Sequence, residues 1–354
     1  MPGYKDLGIT DFDHVEFAVA NIETSAPLFE SWGFEKIGEA EIRARGLKTA
    51  LMAQNDIRIL LSHSSQDRDP VAQYVAKHGD GICNVAFRCN DAFSAVEIAT
   101  NRGAQIAEPP RAMEKDFGNV QQASIAAFGD VRHTFISRKG ALFAEGFETP
   151  FRPAPIGYGL KRIDHITTNV ERGQLATWCS FYEKVFGLQV TRTFDIHTDK
   201  TGLYSQVLQS PDRVIKLPVN EPAAGANQIQ EFIDVNHGAG VQHLALETPS
   251  ILTTLRQLKS KAIAFLDAPL HTYYEMVGTR VPGIAEPLAE LEPLGILADG
   301  SDKGYLLQIF SQNVVGPFFF EVIQRAGDDG FGEGNFRALF EAIERDQIKR
   351  GVLK

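Results

Sequence analysis

The sequence predicts an α+β protein made by tandem duplication, each half running strand, helix and several strands twice over. Two recurrences and one internal pattern carry this reading. FDHVEFAV (12–19) returns as IDHITTNV (163–170), and HGDGICNVAF (78–87) returns as HGAGVQHLAL (237–246), in the same order and at offsets of 151 and 159 residues. Amphipathic stretches closing in a glycine, FESWGF (29–34) and FYEKVFGL (181–188), lie between the two repeated segments of each half. Each half also reads as two related quarters.

The second half illustrates the order of elements. HITTNV opens a strand, and TWCSFYEKVF follows as a helix with Trp178, Phe181, Tyr182 and Val185 on one face. GLQVTRTFDI, GLYSQVLQS and RVIKLPV are short β-like segments. HLALET opens the next quarter, SILTTLRQLKSKAI is a helix carrying Ile251, Leu255, Leu258 and Ala262, and YLLQIFS and PFFFEVIQ are strands. NFRALFEAIERDQIKRG (335–351) closes the chain as a helix with Phe336, Leu339, Phe340 and Ile343 on its apolar face and Asn335 as N-cap. The Pro/Gly-rich FRPAPIGYG (151–159) has linker composition, so the units are expected at 1–151 and 160–354.

Composition narrows the function. The 354 residues allow about two domains, and 44% hydrophobic with 23% charged residues is an ordinary globular balance. Lys and Arg total 35 against 45 Asp and Glu, a net charge of −10, which lacks the footprint for nucleic acid and is repelled by anionic membrane surfaces. No apolar run reaches the 18 residues of a bilayer span, and MPGYKDLGITDFD has no basic region leading into an apolar stretch, which predicts a cytoplasmic protein. Cys83, Cys89 and Cys179 have no ligand spacing and are expected in the core.

The duplication supplies an internal comparison. The first half has His14 where the second has His165, but Asn84 where the second has His243. A lone strand histidine is more often a satisfied core residue than a ligand; two at related positions of packed repeats can be brought face to face. Glu321 follows three phenylalanines inside an apolar strand, where a buried carboxylate needs a cation or a strong hydrogen-bond partner. Alternation also permits an edge-strand Glu facing solvent, with Phe319 on its side and Phe318 and Phe320 opposite. His165, His243 and Glu321 have the composition of a 2-His-1-carboxylate site for Fe(II), and His₂Glu also suits Zn²⁺. Spacing does not choose the metal.

Other signals are weaker. His237 and His271 read as loop or surface residues and His197 as part of a solvated turn. GDDGFGEGNF (327–336) lacks the lysine and βαβ setting of a phosphate loop, and suits a tight lid joining the Glu321 strand to the last helix. Gln228, Gln242 and Gln308 fall in strand-like QIQEFI, GVQHLAL and YLLQIF, with Ser205 and Asn220 in neighbouring segments. Neutral amides and hydroxyls orient a substrate without adding charge. With Phe310, Phe319, Phe336 and Phe340 as an aromatic box, they fit a small aromatic acid. Each of these glutamines could equally face solvent.

The run FFFEVIQRAGDDGFGEGNFRALFEAIERDQIKRGVL (318–353) closely resembles the C-terminus of bacterial 4-hydroxyphenylpyruvate dioxygenases. IDHITTNV, KLPVNEP, QIQEFI, GAGVQHLAL and LLQIF resemble further blocks of that family in the expected order, and the likeness spans essentially the whole chain. The resemblance implies the vicinal-oxygen-chelate fold, with paired βαβββ modules in open-barrel sheets and a first domain that has lost its metal. It implies Fe(II) on His165, His243 and Glu321, with O₂ as co-substrate. Ser205, Asn220, Gln242 and Gln308 would surround the reaction. Pro218, Gln228, Phe310, Phe319, Asn335, Phe336 and Phe340 would hold a small aromatic α-keto acid. The implied reaction is oxidative decarboxylation, ring hydroxylation and side-chain migration to homogentisate and CO₂ in tyrosine and phenylalanine catabolism, by a homodimer or homotetramer. Hydroxymandelate synthase, a non-catalytic binding protein on the same scaffold and extradiol ring cleavage are the competing readings.

Overall fold

The computed structural model describes residues 3–197, 202–223, 228–267, 269, 271–281, 283–332, 334–335, 343, 347–348 and 351. The first half forms β1 (Ile9–Ala18), β2 (Glu35–Ile42), β3 (Leu47–Gln54), β4 (Ile57–Ser64), β5 (Gly81–Cys89), β6 (Ile106–Lys115), β7 (Gly118–Ala126) and β8 (Arg132–Gly140). The second forms β9 (Arg162–Asn169), β10 (Gln189–His197), β11 (Gly202–Gln209), β12 (Lys216–Pro222), β13 (Gly240–Glu247), β14 (Leu297–Ser301), β15 (Gly304–Phe310) and β16 (Phe319–Ala326). Helices α1 (Ile22–Glu30), α2 (Pro70–His78) and α3 (Ala92–Asn101) belong to the first half. α4 (Leu175–Phe181), α5 (Gln228–Asn236), α6 (Ile251–Ser260), α7 (His271–Arg280) and α8 (Leu288–Leu294) belong to the second.

The duplication is exact in topology. The two curled eight-stranded sheets run β2-β3-β4-β1-β5-β8-β7-β6 and β10-β11-β12-β9-β13-β16-β15-β14. In each, the first strand of a module lies parallel to its fourth, and the two modules meet through an antiparallel pair, β1 with β5 and β9 with β13. The helices start where short polar side chains replace missing backbone partners. Asn21 Oδ1 accepts from the amides of Glu23 and Thr24, and Asp91 Oδ1 from those of Phe93 and Ser94. Each such cap contributes about 1 kcal/mol.

The main core lies between the sheets and is shared by both halves. Phe320 packs 4.7 Å from Trp32 and 6.2 Å from Phe29, while Phe186 of the second half meets Phe87 at 5.2 Å and Phe135 at 5.8 Å. The linker is fastened by the β3–β4 turn: Gln54 Oε1 accepts from the amides of Tyr158 and Leu160, and Asn55 Nδ2 donates to the carbonyls of Ile156 and Leu160. Among the described residues, no helix is long and apolar enough to cross a membrane.

Three local expectations change. QIQEFI is not a strand but the first part of α5, with Ile229, Phe232, Ile233 and Asn236 buried at helical spacing. The α6 helix stops at Ser260, and Ala262 follows it at φ 59°. The predicted TWCSFYEKVF helix loosens after Phe181 into one π turn, Tyr182–Phe186, which brings Tyr182, Val185 and Phe186 into the core. Leu339, Phe336 and Phe340 of the closing helix lie outside the described residues, whereas Asn335 is already helical and buried.

Candidate metal centre

Strand register assembles the three predicted ligands. His165 and His243 are each the fourth residue of their strands, β9 and β13. Ala245 of β13 pairs with His165 on one side and Glu321 on the other, so one small residue separates two of the three ligands across the sheet. His243 stands two residues before Ala245 on the same face. One ligand atom from each of His165, His243 and Glu321 lies within 4.8 Å of the others, and all three are buried.

Alternation along β16 settles which way Glu321 points. Phe318 and Phe320 enter the inter-half core, and Phe319 and Glu321 face the concave side of the sheet. The solvent-facing alternative is therefore excluded, since Glu321 is 1% exposed. Its Oε2 lies 3.3 Å from His165 Nε2 and 3.4 Å from His243 Nε2. The remaining oxygen accepts from Gln308 Nε2 at 2.9 Å. Burial would raise the carboxyl, but the two imidazoles outweigh it and hold Glu321 down at about 2. Burial lowers His243 below the usual imidazole range; at His165 the Glu321 carboxylate overcomes burial and raises it.

The outer nitrogen of each imidazole is already committed. His165 Nδ1 donates to Asp164 Oδ2 at 2.8 Å, and His243 Nδ1 to Gln242 Oε1 at 3.0 Å. Both Nε2 atoms are thereby left as electron-pair donors aimed at Glu321. Among the described residues, the buried Ser205 Oγ, Asn220 Oδ1, Gln228 Oε1 and Asn169 Nδ2 have no hydrogen-bond partner, and Asn220 and Gln228 border the space beside the three ligands. Two imidazole nitrogens, one ionised carboxylate and buried oxygens without a partner among the described residues fit a divalent cation with a polar ligand beside it.

The predicted surroundings mostly converge here. His165, Pro218, Asn220, Gln228, Gln242, His243, Gln308, Phe310 and Glu321 border one space of about 30 Å³. A second space of about 310 Å³, bordered by Phe319, shares Gln228, Gln242 and Ile343 with it as walls. Phe319 stacks on His243 at 4.8 Å, and Phe310 stands edge-on to the same ring at 6.3 Å. Ser205 is opposite Asn220 in the β11–β12 ladder. Asn335, expected as the N-cap, is already helical; its Nδ2 donates to Gln308 Oε1 at 3.0 Å, and its Oδ1 accepts from the Tyr273 hydroxyl at 2.6 Å. His237 and His271 are exposed and play no part, and Cys83, Cys89 and Cys179 are all buried.

Sequence reasoning missed two neighbours of the centre. Phe331 sits between glycines and meets His165 edge-on at 5.3 Å; nothing in GFG announces it. Asp164 did have a signal, because the pair Asp-His recurs as Asp13-His14.

The first half fills the equivalent place differently. In the register of β5 and β8, Asn84 and Thr134 occupy the positions of His243 and Glu321, and they bond to each other at 2.9 Å. Arg132 takes the position of Phe319 and pairs with Glu16 at 3.1 Å and Glu108 at 2.7 Å. Leu142, Phe143 and Phe147 fill that concave face with a separate apolar cluster.

Comparisons with known proteins match each half to a family model. Residues 4–142 match the family described as hydroxyphenylpyruvate dioxygenase, HPPD, N-terminal. Residues 162–289 match the glyoxalase/bleomycin resistance protein/dioxygenase superfamily. The chain is 41% identical to a 4-hydroxyphenylpyruvate dioxygenase of a Pseudomonas species, over 98% of this chain and 97% of the relative. It is 38% identical to the one of Dictyostelium discoideum, over 97% and 99%. A solved mutant of 4-hydroxymandelate synthase from Streptomyces coelicolor superposes with a TM-score of 0.84 at 29% identity, covering 96% of this chain and 99% of that one. At about 40% identity to such dioxygenases over nearly its whole length, the chain belongs to the 4-hydroxyphenylpyruvate dioxygenase family of the vicinal oxygen chelate superfamily.

Proposed function

We propose that this dioxygenase takes 4-hydroxyphenylpyruvate and O₂ to homogentisate and CO₂, with Fe(II) held by His165, His243 and Glu321. The observation that carries the proposal is the buried His–His–Glu set inside a chain of this family. Iron, when bound, supplies the redox chemistry that activates O₂ and drives decarboxylation of the keto acid. The protein supplies placement. Asn220, Gln228 and Ser205 offer buried oxygens without partners among the described residues to the polar ends of the substrate, and Gln242 and Gln308 keep two of the ligands oriented. Phe310 and Phe319 flank the ring, with Pro218 on the wall beside them. Phe331 and Ile343 wall the centre and Asn335 closes on Gln308, which keeps out water that would compete with the reaction; Phe336 and Phe340, on the apolar face that the sequence pattern gives the closing helix, are assigned to the substrate by the resemblance alone.

Residues 1–151 form, on this reading, a partner domain without a metal, since Arg132 supplies the positive charge there internally. The enzyme is expected to be a cytoplasmic homo-oligomer. Anaerobic loading of metal-free protein with Fe(II), followed by substrate and air, tests the whole assignment: CO₂ and homogentisate are expected. The structural likeness to 4-hydroxymandelate synthase supports benzylic hydroxylation as the second reading, and 4-hydroxymandelate as product would establish it.

A further inference from the structure

The glycine-rich segment after β16 and the back of the metal set are gripped by one side chain. Arg325 donates from Nε and Nη2 to the two oxygens of Asp164, both at 2.7 Å. Its remaining Nη1 donates to the carbonyls of Asp328 at 3.0 Å and Gly330 at 2.7 Å. Asp164 in turn accepts from His165 Nδ1 at 2.8 Å and from Lys216 Nζ at 2.9 Å. The circuit closes through Phe331, whose ring lies 5.9 Å from the Arg325 guanidinium and 5.3 Å from the His165 ring. Gly332 follows at φ 69°, where a Cβ would meet Gln308 Oε1 at 2.1 Å. Only glycine lets the chain pass this close to the side chain that bonds Glu321.

The duplicated half holds the same circuit. Arg138 grips both oxygens of Asp13 at 2.6 and 2.8 Å, donates from Nε to the Phe143 carbonyl at 3.0 Å, and lies under the Phe143 ring. Phe143 stands 5.3 Å from His14, whose Nδ1 is 2.6 Å from Asp13. There Asn84 and Thr134 replace two ligands, so the circuit is attached to no ligand set. Arg138 therefore measures what the circuit is worth as pure structure, and Arg325 carries whatever is added by the metal.

We propose that Arg325 is a positioning residue that couples metal binding to the order of segment 328–332, resting on the metal assignment above. Through Asp164 it fixes the His165 ring and keeps Nε2 as the donor atom; through the two carbonyls it holds the segment that places Phe331 against that ring. A cation drawing on Nε2 makes Nδ1–H more acidic and strengthens its bond to Asp164, which tightens the arginine's grip. By linkage, loosening the segment weakens the cation equally.

The test uses Co(II) as the probe, titrated into the metal-free full chain and followed by visible absorption and by amide exchange over 328–332. Wild type is expected to bind Co(II) and to show slower exchange in that segment on binding. Arg325→Gln is expected to bind about ten-fold more weakly, with exchange no longer responding to Co(II). Arg325→Lys keeps the charge without the two-pronged grip and should behave the same way, which serves if the glutamine variant does not fold. Arg138→Gln should stay within about two-fold of wild-type affinity whatever it does to thermal stability. Wild-type affinity and protection in the Arg325 variants, or an equal loss in Arg138→Gln, would overturn the coupling. Failure of wild type itself to bind Co(II) would overturn the metal assignment beneath it.

Discussion

Gln308 donates from Nε2 to Oε1 of Glu321 at 2.9 Å, while its own Oε1 accepts from Asn335 Nδ2 at 3.0 Å. One amide thus orients a metal-site carboxylate and fastens the start of the closing helix. Gln308→Met removes both bonds at similar volume and leaves a buried carboxylate oxygen unpaired, at a cost of about 1–3 kcal/mol. Metal retained after dialysis should fall, with affinity about ten-fold weaker; retention equal to wild type would show that Glu321 needs no such support.

His165→Ala should lose stoichiometric iron while keeping the fold, since the His165 ring faces the site and not the inter-half core. Elemental analysis after Fe(II) loading reads this directly. His14→Ala, the equivalent change in the first half, should leave the iron content at the wild-type value.

Neighbouring phenylalanines should separate stability from function. Phe320→Ala opens a cavity against Trp32, Phe34 and Phe29 and is expected to cost ~3–5 kcal/mol in urea unfolding. Phe319→Ala removes the ring stacked on His243, and should raise KM and lower turnover more than it lowers stability. The reverse ranking would mean that the two faces of β16 are misassigned.

His133 gives a pH dependence at the junction of the halves. It is packed among Phe87, Phe128 and Phe186, 2.7 Å from the Tyr182 hydroxyl, and burial pushes it down to about 4. The folded chain therefore binds fewer protons than the unfolded chain between about pH 6.5 and 4. Its contribution is fully present above that window and is lost as pH falls through it, by ~3 kcal/mol in all. His133→Gln should flatten that part of the stability–pH curve, measured by unfolding at fixed temperature; an unchanged slope would place the acid sensitivity elsewhere.

Installing the missing ligands in the first half should fail to make a second centre. In Asn84→His with Thr134→Glu, the new carboxylate meets Arg132 at a place already paired with Glu16 and Glu108. One metal per chain is expected; two would show that the ion network yields readily to a cation.

Much of the site was legible because duplication makes a sequence its own reference. His165 was marked by its match to His14, and His243 by its contrast with Asn84, without any structure. The same comparison held the repeated Asp-His pair that marks Asp164. What misled was short-range periodicity. Ile229, Phe232, Ile233 and Asn236 fit a helix, but only QIQ of the six-residue QIQEFI alternates, and a stretch that short does not fix the period until it packs against the sheet.

By itself the sequence determined the duplication, the α+β class, the strands that carry the ligands and the half in which the ligand set survives. These are recorded in repeat offsets and residue types, which are local and countable. Tertiary structure alone decided that both faces of β16 are buried, which of them joins the His–His–Glu cluster, and that Phe331 and Arg325 close around His165. Those facts depend on where the other half and the glycine-rich segment come to rest. A strand's alternation says that Phe320 and Glu321 point opposite ways; the packed partners decide which side is core and which is site.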